Sequence, residues 1–244
     1  MAPAFFDQLG QVFGDLQRDT DVRAIVLRAD ANAFSYGLDL PAAFREFGPL
    51  FAAGSASQRT ELLALIERLQ GTINAVASCP VPTIAAVHGY CLGGGIDLIT
   101  ACDFRLCSAD AVFSVRETKI AIVADLGTLQ RLPRIVGRGH ARELAFTGKD
   151  IDADQAVRIG LCNRHLPDRD QLWSEADAVA REIAENPPLT VRGVKRVMDF
   201  GEDHGARAGL DYVAAWNSAF LASDDLGEAM SAFMQKRPPE FKGK

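Results

Sequence analysis

The chain has no basic excess: 26 Lys and Arg stand against 32 Asp and Glu, a formal net charge of −6. Phosphate backbones are gripped by surplus Lys and Arg, so nucleic acid is not an expected partner. No run of about 18 apolar residues occurs, so no membrane-spanning helix is expected. The first residues, M-A-P-A-F-F-D-Q, lack the basic-then-apolar order of a secretory leader. The last ones, Phe-Lys-Gly-Lys, are not the S-K-L peroxisomal address. Cysteine is sparse: Cys79, Cys91, Cys102, Cys107 and Cys162 form no CxxC pair and have no His partners at metal spacing. They read as reduced, mostly buried thiols of a cytoplasmic protein, with neither a metal nor a separate cofactor expected. G-x-G-x-x-G and G-x-x-x-x-G-K-[ST] are missing, which leaves dinucleotide and P-loop chemistry unsupported. Ser35, Ser108 and Ser114 lack a G-x-S-x-G context, so a serine-hydrolase triad is unsupported too. His88, His140, His165 and His204 have no carboxylate or Cys at motif spacing and read as structural or surface residues.

What remains is an ordinary globular composition, 48% apolar and 24% charged over 244 residues, enough to bury a core. Apolar spacing predicts a helix over Phe5–Leu16, a buried strand at Ala24–Leu27 and a long helix over Gln58–Ala77, stopped by Cys79-Pro80-Val81-Pro82. Between them, Phe44–Ser57 reads as a short helix and a mobile loop. Thr83–Val87 is the next strand. Phe104–Cys107 and Ala111–Val115 follow as short strands, with Glu117 ending the second. Helices are expected over Gly127–Val136, interrupted near Pro133, over Gly139–Thr147 and over Asp152–Gly160. From about Gln171 the pattern is helical, with breaks at Asn186-Pro187-Pro188 and Gly201–Gly205 and an exit at Pro238. Alternating helix and strand predict a layered α/β chain. A composition shift near Pro187 divides it into a core over 1–186 and a helical part over 187–244.

The densest chemistry lies in Val87–Arg131. Gly93, Gly94 and Gly95 open a helical segment there, and Gly37 sits in the earlier stretch A-F-S-Y-G-L-D-L. Without side chains, backbone N–H groups at both places can face a ligand closely. Two such donors on one carbonyl oxygen would make an oxyanion hole, each contributing about 3–4 kcal/mol to a developing enolate. The glycines could equally serve only a turn or tight packing. Three carboxylates follow in apolar or small-residue surroundings: Asp97, Glu117 and Asp125. Taken singly, Asp97 could be a residue that favours its helix's N-terminus, Glu117 a surface residue beside Arg116 and Lys119, and Asp125 an N-cap. As a set beside an oxyanion hole, one acid could take a proton α to a thioester carbonyl and another return one further along the chain.

These segments resemble the crotonase, or enoyl-CoA hydratase/isomerase, family over nearly the whole chain. The carriers are A-F-S-Y-G-L-D-L, P-V-P-T-I-A-A-V-H-G-Y-C-L-G-G-G-I-D-L, A-C-D-F-R-L-C-S-A-D-A-V-F-S-V-R-E, G-T-L-Q-R-L-P-R-I-V-G, A-F-T-G and A-x-x-x-G-L-C-N. The resemblance implies an α/β spiral of ββα units with a C-terminal helical region that builds trimers, often paired into hexamers. It implies an acyl-CoA thioester substrate, with coenzyme A as part of that substrate. On the family pattern the oxyanion donors are the N–H groups of Leu38 and Gly94. Hydratases of the family carry glutamate at the positions of Asp97 and Glu117, and glycine at that of Asp125. The set found here resembles the dienoyl-CoA isomerases, which shift 3,5-dienoyl-CoA to 2,4-dienoyl-CoA. Glu117 would then exchange the C2 proton and Asp125 the C6 proton, with Asp97 as a supporting acid. Hydration, single-double-bond isomerisation and a non-catalytic binding role are the alternatives. Members usually carry an L-N-R-P-x-x-x-N-A-type segment before the first helix. That segment would already be over at Met1-Ala2-Pro3, so a contribution to CoA nucleotide binding and to the sheet edge is expected to be missing. Phe44–Leu65 is expected to line or cover the acyl pocket.

Overall fold

The structure, a computed structural model, describes residues 1–51 and 54–244. Helix α1 (Pro3–Arg18) buries Phe6, Leu9 and Phe13 on one face, as their spacing dictates. Strand β1 (Ile25–Leu27) precedes α2 (Leu40–Phe51) and α3 (Ala56–Ala77). Ser55 caps α3: its hydroxyl accepts from Gln58 N, and the Gln58 side chain accepts from Ser55 N in return. The short helix expected before α3 is α2, which runs on through Gly48 and Pro49 to Phe51. Ala52 and Ala53, within the stretch expected to be a loop, lie outside the described residues.

Thereafter the chain climbs in repeated turns. Strand β2 (Thr83–Val87), wholly buried, leads to β3 (Tyr90–Leu92) and α4 (Gly94–Thr100). Strand β4 (Phe104–Ser108) then lies parallel to β2, with Ile84 opposite Phe104 and Val87 opposite Cys107. Strand β5 (Val112–Ser114) lies parallel to β3, with Tyr90 opposite Val112. Ser35 makes the same kind of parallel bridge to Cys91 one turn earlier. After α5 (Thr128–Thr147), β6 (Ile151–Asp152) pairs antiparallel with β5, and β7 (Arg164–Leu166), beyond α6 (Ala153–Arg158), pairs parallel with β4. Two sheets result, ordered β1-β2-β4-β7 and β3-β5-β6. This is the ββα spiral, in which successive turns stack like on like.

Three short strands escape the sequence pattern: β6, of two residues, where the sequence predicts the start of a helix, and β3 and β7. Strands β3 and β7 have three residues each and alternate too briefly to register. The interruption expected near Pro133 is not found, whereas the division expected between Val136 and Gly139 falls at Gly137, whose φ of 78° and ψ of 156° leave the helical region within α5. A φ of that sign is open to glycine at little cost, and Pro133 is carried inside α5 without leaving the helical region.

Contacts divide the chain into two compact units. One comprises 1–19, 26–79 and 83–177, and holds the strands after β1 and every residue of the candidate active site. The other comprises 20–25, 80–82 and 178–244. It contains α8 (Pro188–His204), α9 (Ala206–Phe220) and α10 (Asp224–Gln235), while α7 (Arg169–Ala184) begins in the first unit. Within the second unit α8 and α9 pack closely at Gly193, where a Cβ would stand 2.5 Å from Trp216 Nε1.

Helix α3 borders the candidate active site, and Ile73 and Val76 anchor it with no exposed surface. Ile73→Ala would leave a cavity in a close-packed core, with an expected loss of about 2–5 kcal/mol. Urea denaturation followed by far-UV circular dichroism measures it, and an unchanged midpoint would contradict the anchoring role.

Candidate active site

The glycine turn is assembled by strand pairing. Ser35 N donates to Tyr90 O and Leu92 N donates back to Ser35 O, at 2.8 and 2.9 Å. Residues 35–38 therefore run beside β3. Gly93 N donates to Ser114 O at 2.9 Å, which fastens the end of β3 to β5. Gly93 then turns with φ of 51°, and α4 starts at Gly94. Gly37 turns with φ of 85°; a Cβ there would lie 3.0 Å from Leu92 O and 3.6 Å from Gly94 N. Leu38 N stands 4.0 Å from the point where a Cβ of Gly94 would be. Two turns of the spiral thus bring the Leu38 and Gly94 amides together. As the first residue of α4, Gly94 has no acceptor for its N–H within the helix. The Leu38 side chain is anchored in an apolar cluster of Ala43, Phe47 and Leu65 from α2 and α3. Met1 Cε packs against Gly94, the Met1 amino group donates to Gly37 O, and Asp39 N donates to Met1 O.

The three acids converge beside this turn. Asp97 is buried in the first turns of α4, and its Oδ1 accepts from Thr128 N at 2.7 Å. It therefore caps α5, a helix distant in sequence. Burial raises its pKa and the Asp125 charge adds to that rise, while Thr128 hydrogen bonding and the Arg131 cation oppose it. Glu117 does not end a strand as expected. It opens a 3-10 turn, Glu117–Ile120, one residue past Arg116. Nor is it a plain surface residue: Glu117 Oε2 is buried with no hydrogen-bond partner among the described residues. Its Oε1 lies 3.3 Å from where a Cβ on Gly93 would stand, so the bare glycine leaves room for this carboxyl. Burial, reinforced by the Asp97 and Asp125 charges and opposed by its own backbone amide, lifts the Glu117 pKa to about 7. Asp125 is the most exposed of the three. Desolvation of its carboxyl still raises its pKa, against the pull of its own amide. It is not the N-cap of α5: the cap position is Gly127 and the capping oxygen comes from Asp97.

Leu38, Gly94, Asp97 and Glu117 thus sit around one turn of backbone, and Asp125 lies close enough for its charge to act on Asp97 and Glu117. Four others emerge only from the geometry: Gln70, Asn74, Thr128 and Arg131. Gln70 Nε2 donates to Asp125 O at 2.7 Å. Arg131 donates to Asn74 Oδ1 and, at 3.4 Å, to Leu126 O. Gln70 and Asn74 lie four apart on α3, so they share a face; that spacing is the one signal the sequence held. Among the described residues no group of three or more His, Cys, Asp or Glu is placed to hold a metal ion. The five cysteines are buried and free. The stretch expected to line an acyl pocket corresponds to α2 and the start of α3, with Phe44 and Phe51 exposed and in edge contact at 5.4 Å. Its residues Ala52 and Ala53 fall outside the described residues.

Comparison with known proteins places these features in a family. The family model described as enoyl-CoA hydratase/isomerase matches residues 1–244. A Dictyostelium discoideum protein named mitochondrial Δ3,5-Δ2,4-dienoyl-CoA isomerase is 45% identical over 98% of this chain and 81% of its own. An Arabidopsis thaliana protein named peroxisomal Δ3,5-Δ2,4-dienoyl-CoA isomerase is 42% identical over 97% of this chain and 86% of its own. A crystal structure of an enoyl-CoA hydratase from Bacillus anthracis superimposes with a TM-score of 0.89 at 30% identity, covering 100% of this chain and 90% of that one. These relatives correct the expectation of a cytoplasmic protein, since their names give mitochondrial and peroxisomal compartments. Reduced, buried thiols do not distinguish one reducing compartment from another, and an organelle address is read by a receptor rather than by the folded core. No helix among the described residues is long and apolar enough to cross a membrane. Full-length match, shared spiral and moderate identity lead to one conclusion: the chain belongs to the enoyl-CoA hydratase/isomerase family, whose common architecture is the crotonase fold.

Proposed function

We infer that the protein is an acyl-CoA isomerase that converts 3,5-dienoyl-CoA to 2,4-dienoyl-CoA. The observation that carries this reading is the pair Glu117 and Asp125. These are two carboxyls with raised pKa values, close enough together that the Asp125 charge adds to the shift of Glu117. The names of the relatives point the same way. The thioester oxygen accepts from the N–H groups of Leu38 and Gly94. Glu117, ionised, takes a proton from C2. The electron pair released spreads over the thioester oxygen and the conjugated carbons as far as C6. Asp125, protonated, delivers a proton to C6, and the double bonds settle at C2 and C4. Solvent then restores both acids. Two carboxyls are needed because C2 and C6 lie too far apart for one to serve both. Their upward shifts suit this chemistry, which requires a base poised near neutrality and an acid that keeps its proton longer than usual. Asp97 supports both through its charge on Glu117 and its bond to Thr128.

Coenzyme A enters as part of the substrate, and no further cofactor or metal takes part in the reading. The C-terminal region, 187–244, serves self-association into a trimer or a hexamer. Its support is the apolar surface that Val194, Met198, Leu210, Met230, Phe233 and Met234 expose, more than an isolated helical face usually leaves in water. The core over 1–186 carries the site.

Three measurements test the reading. Asp125→Asn should abolish formation of the 2,4-diene, followed by ultraviolet absorbance, yet retain deuterium wash-in at C2; undiminished diene formation would remove Asp125 from the mechanism. In the free protein, a carbon-13 titration of the Glu117 carboxyl should show ionisation as pH rises through about 7. In Asp125→Asn that midpoint should move to lower pH, because a neighbouring negative charge that raises it is gone; a shift upward would contradict the coupling. Gly37→Ala should lower kcat on the order of 10²-fold or more through loss of one oxyanion donor's alignment, since a side chain there is strained at φ of 85° and presses on Leu92 O.

A further inference from the structure

The segment that carries Asp125 is fixed at four consecutive residues, and most of the fixing comes from outside it. At Asp125 the backbone carbonyl accepts from Gln70 Nε2 at 2.7 Å. At Leu126 the carbonyl accepts from Arg131 Nη1 at 3.4 Å. At Gly127 the Arg131 guanidinium lies so close that any Cβ would overlap it, and φ of 122° excludes most side chains in any case. At Thr128 the amide donates to Asp97 Oδ1 at 2.7 Å. Arg131 is itself held by Asn74 Oδ1. Gln70 and Asn74 stand one helical turn apart on α3, whose intervening Ile73 is wholly buried. Just upstream the chain is tied only to the turn that carries Glu117, where Ile122 N donates to Glu117 O at 3.0 Å, and Ala124 is buried. Ala121 takes a left-handed φ of 58°, and Ile122 and Val123 are exposed, Val123 at 75%. The acid that the two-carboxyl reading assigns to C6 therefore sits at the boundary between an exposed stretch and a clamped one.

We propose that Gln70 and Asn74 of α3, with Arg131, form a clamp that positions Asp125 for proton transfer at C6, and so governs whether an abstracted C2 proton leads to the 2,4-diene or merely returns to C2. These are positioning residues. None needs to touch substrate, and their effect passes through the backbone of 125–128. The inference rests on the two-carboxyl reading of Glu117 and Asp125. Glu117 is held by a different element, the 3-10 turn after β5, so loosening the clamp moves one acid and leaves the other in place. Proton delivery depends steeply on distance, and a displacement of about 1 Å costs on the order of 10²-fold in rate. The clamp's effect should therefore appear in one half of the reaction and not in the other.

Gln70→Met supplies the test, because methionine keeps the length and neutrality of glutamine and removes the donor. With 3,5-dienoyl-CoA as the probe, 2,4-diene formation should fall about 10- to 100-fold, while deuterium wash-in at C2 stays within about twofold of the unaltered protein. Gln70→Asn, which keeps the donor on a shorter stem, should recover part of the loss. In parallel, backbone amide exchange at 125–128 should accelerate in Gln70→Met and remain unchanged at 117–120. Equal losses of diene formation and C2 exchange would reduce Gln70 to a general structural role and overturn the proposal, as would undiminished diene formation. If the unaltered protein forms no 2,4-diene at all, the two-carboxyl reading fails. The amide exchange then decides on the clamp alone: unchanged exchange at 125–128 overturns it.

Discussion

One hydrogen bond, from Thr128 N to Asp97 Oδ1, joins the two halves of the site. On its near side Asp97 belongs to α4, whose first residue supplies one of the paired amides. On its far side Thr128 opens α5, immediately after the segment that carries Asp125. A buried carboxylate is costly without a partner, and this one is satisfied by an orphan amide at a helix start, which itself requires an acceptor. Each group thus answers the other's need. The distance between the glycine turn and the second acid follows from that pairing rather than from either local sequence.

The acids form a graded set. Asp97 is the most deeply placed and is spent on structure. Glu117 is intermediate, with one oxygen buried and unpaired. Asp125 is the most exposed. Desolvation is the first cause of the upward shift in all three, and the Asp125 charge adds to the shifts of Asp97 and Glu117. Proximity of like charges means that they do not all ionise independently; the ionised form of one is a cost for the next. Glu117, lifted to about 7, therefore holds a proton that an isolated carboxyl would have released, and Asp97 and Asp125 are shifted in the same direction.

Much of this is legible in the residues. Glycines at 37 and 93–95, the apolar strand Thr83–Val87 and three acids in nonpolar company mark the site, and the motif series carries the fold. The long helix over Gln58–Ala77 is readable from its apolar face. What is not readable has a common cause: it depends on contacts across the spiral. Asp125 looks like a cap because an Asp before a helix usually is one, yet the capping oxygen arrives from residue 97. Glu117 looks like a strand end because three apolar residues precede it, yet the chain leaves the sheet into a 3-10 turn. Gln70 and Asn74 look like the polar face of an amphipathic helix, since nothing in α3 itself reports what lies opposite. Strands β3 and β7 exist through pairing with neighbours, and three residues carry no period of their own.

Helix α3 has a consequence for how such a chain can vary. Gln70 and Asn74 reach the Asp125 segment only while α3 keeps its rotational phase, and one inserted residue turns everything beyond it by about 100°. Two side chains of fixed reach would then point elsewhere, whatever the chemistry of the inserted residue. The stretch ahead of Ser55 carries no such angular condition, because the cap at Ser55 resets the helix. A change of length immediately ahead of Ser55 thus leaves the phase of α3 untouched, and a single-residue change between 56 and 70 does not. Diversity in this region should accumulate on one side of that cap, with α3 constant in length as an index that keeps the second acid in register.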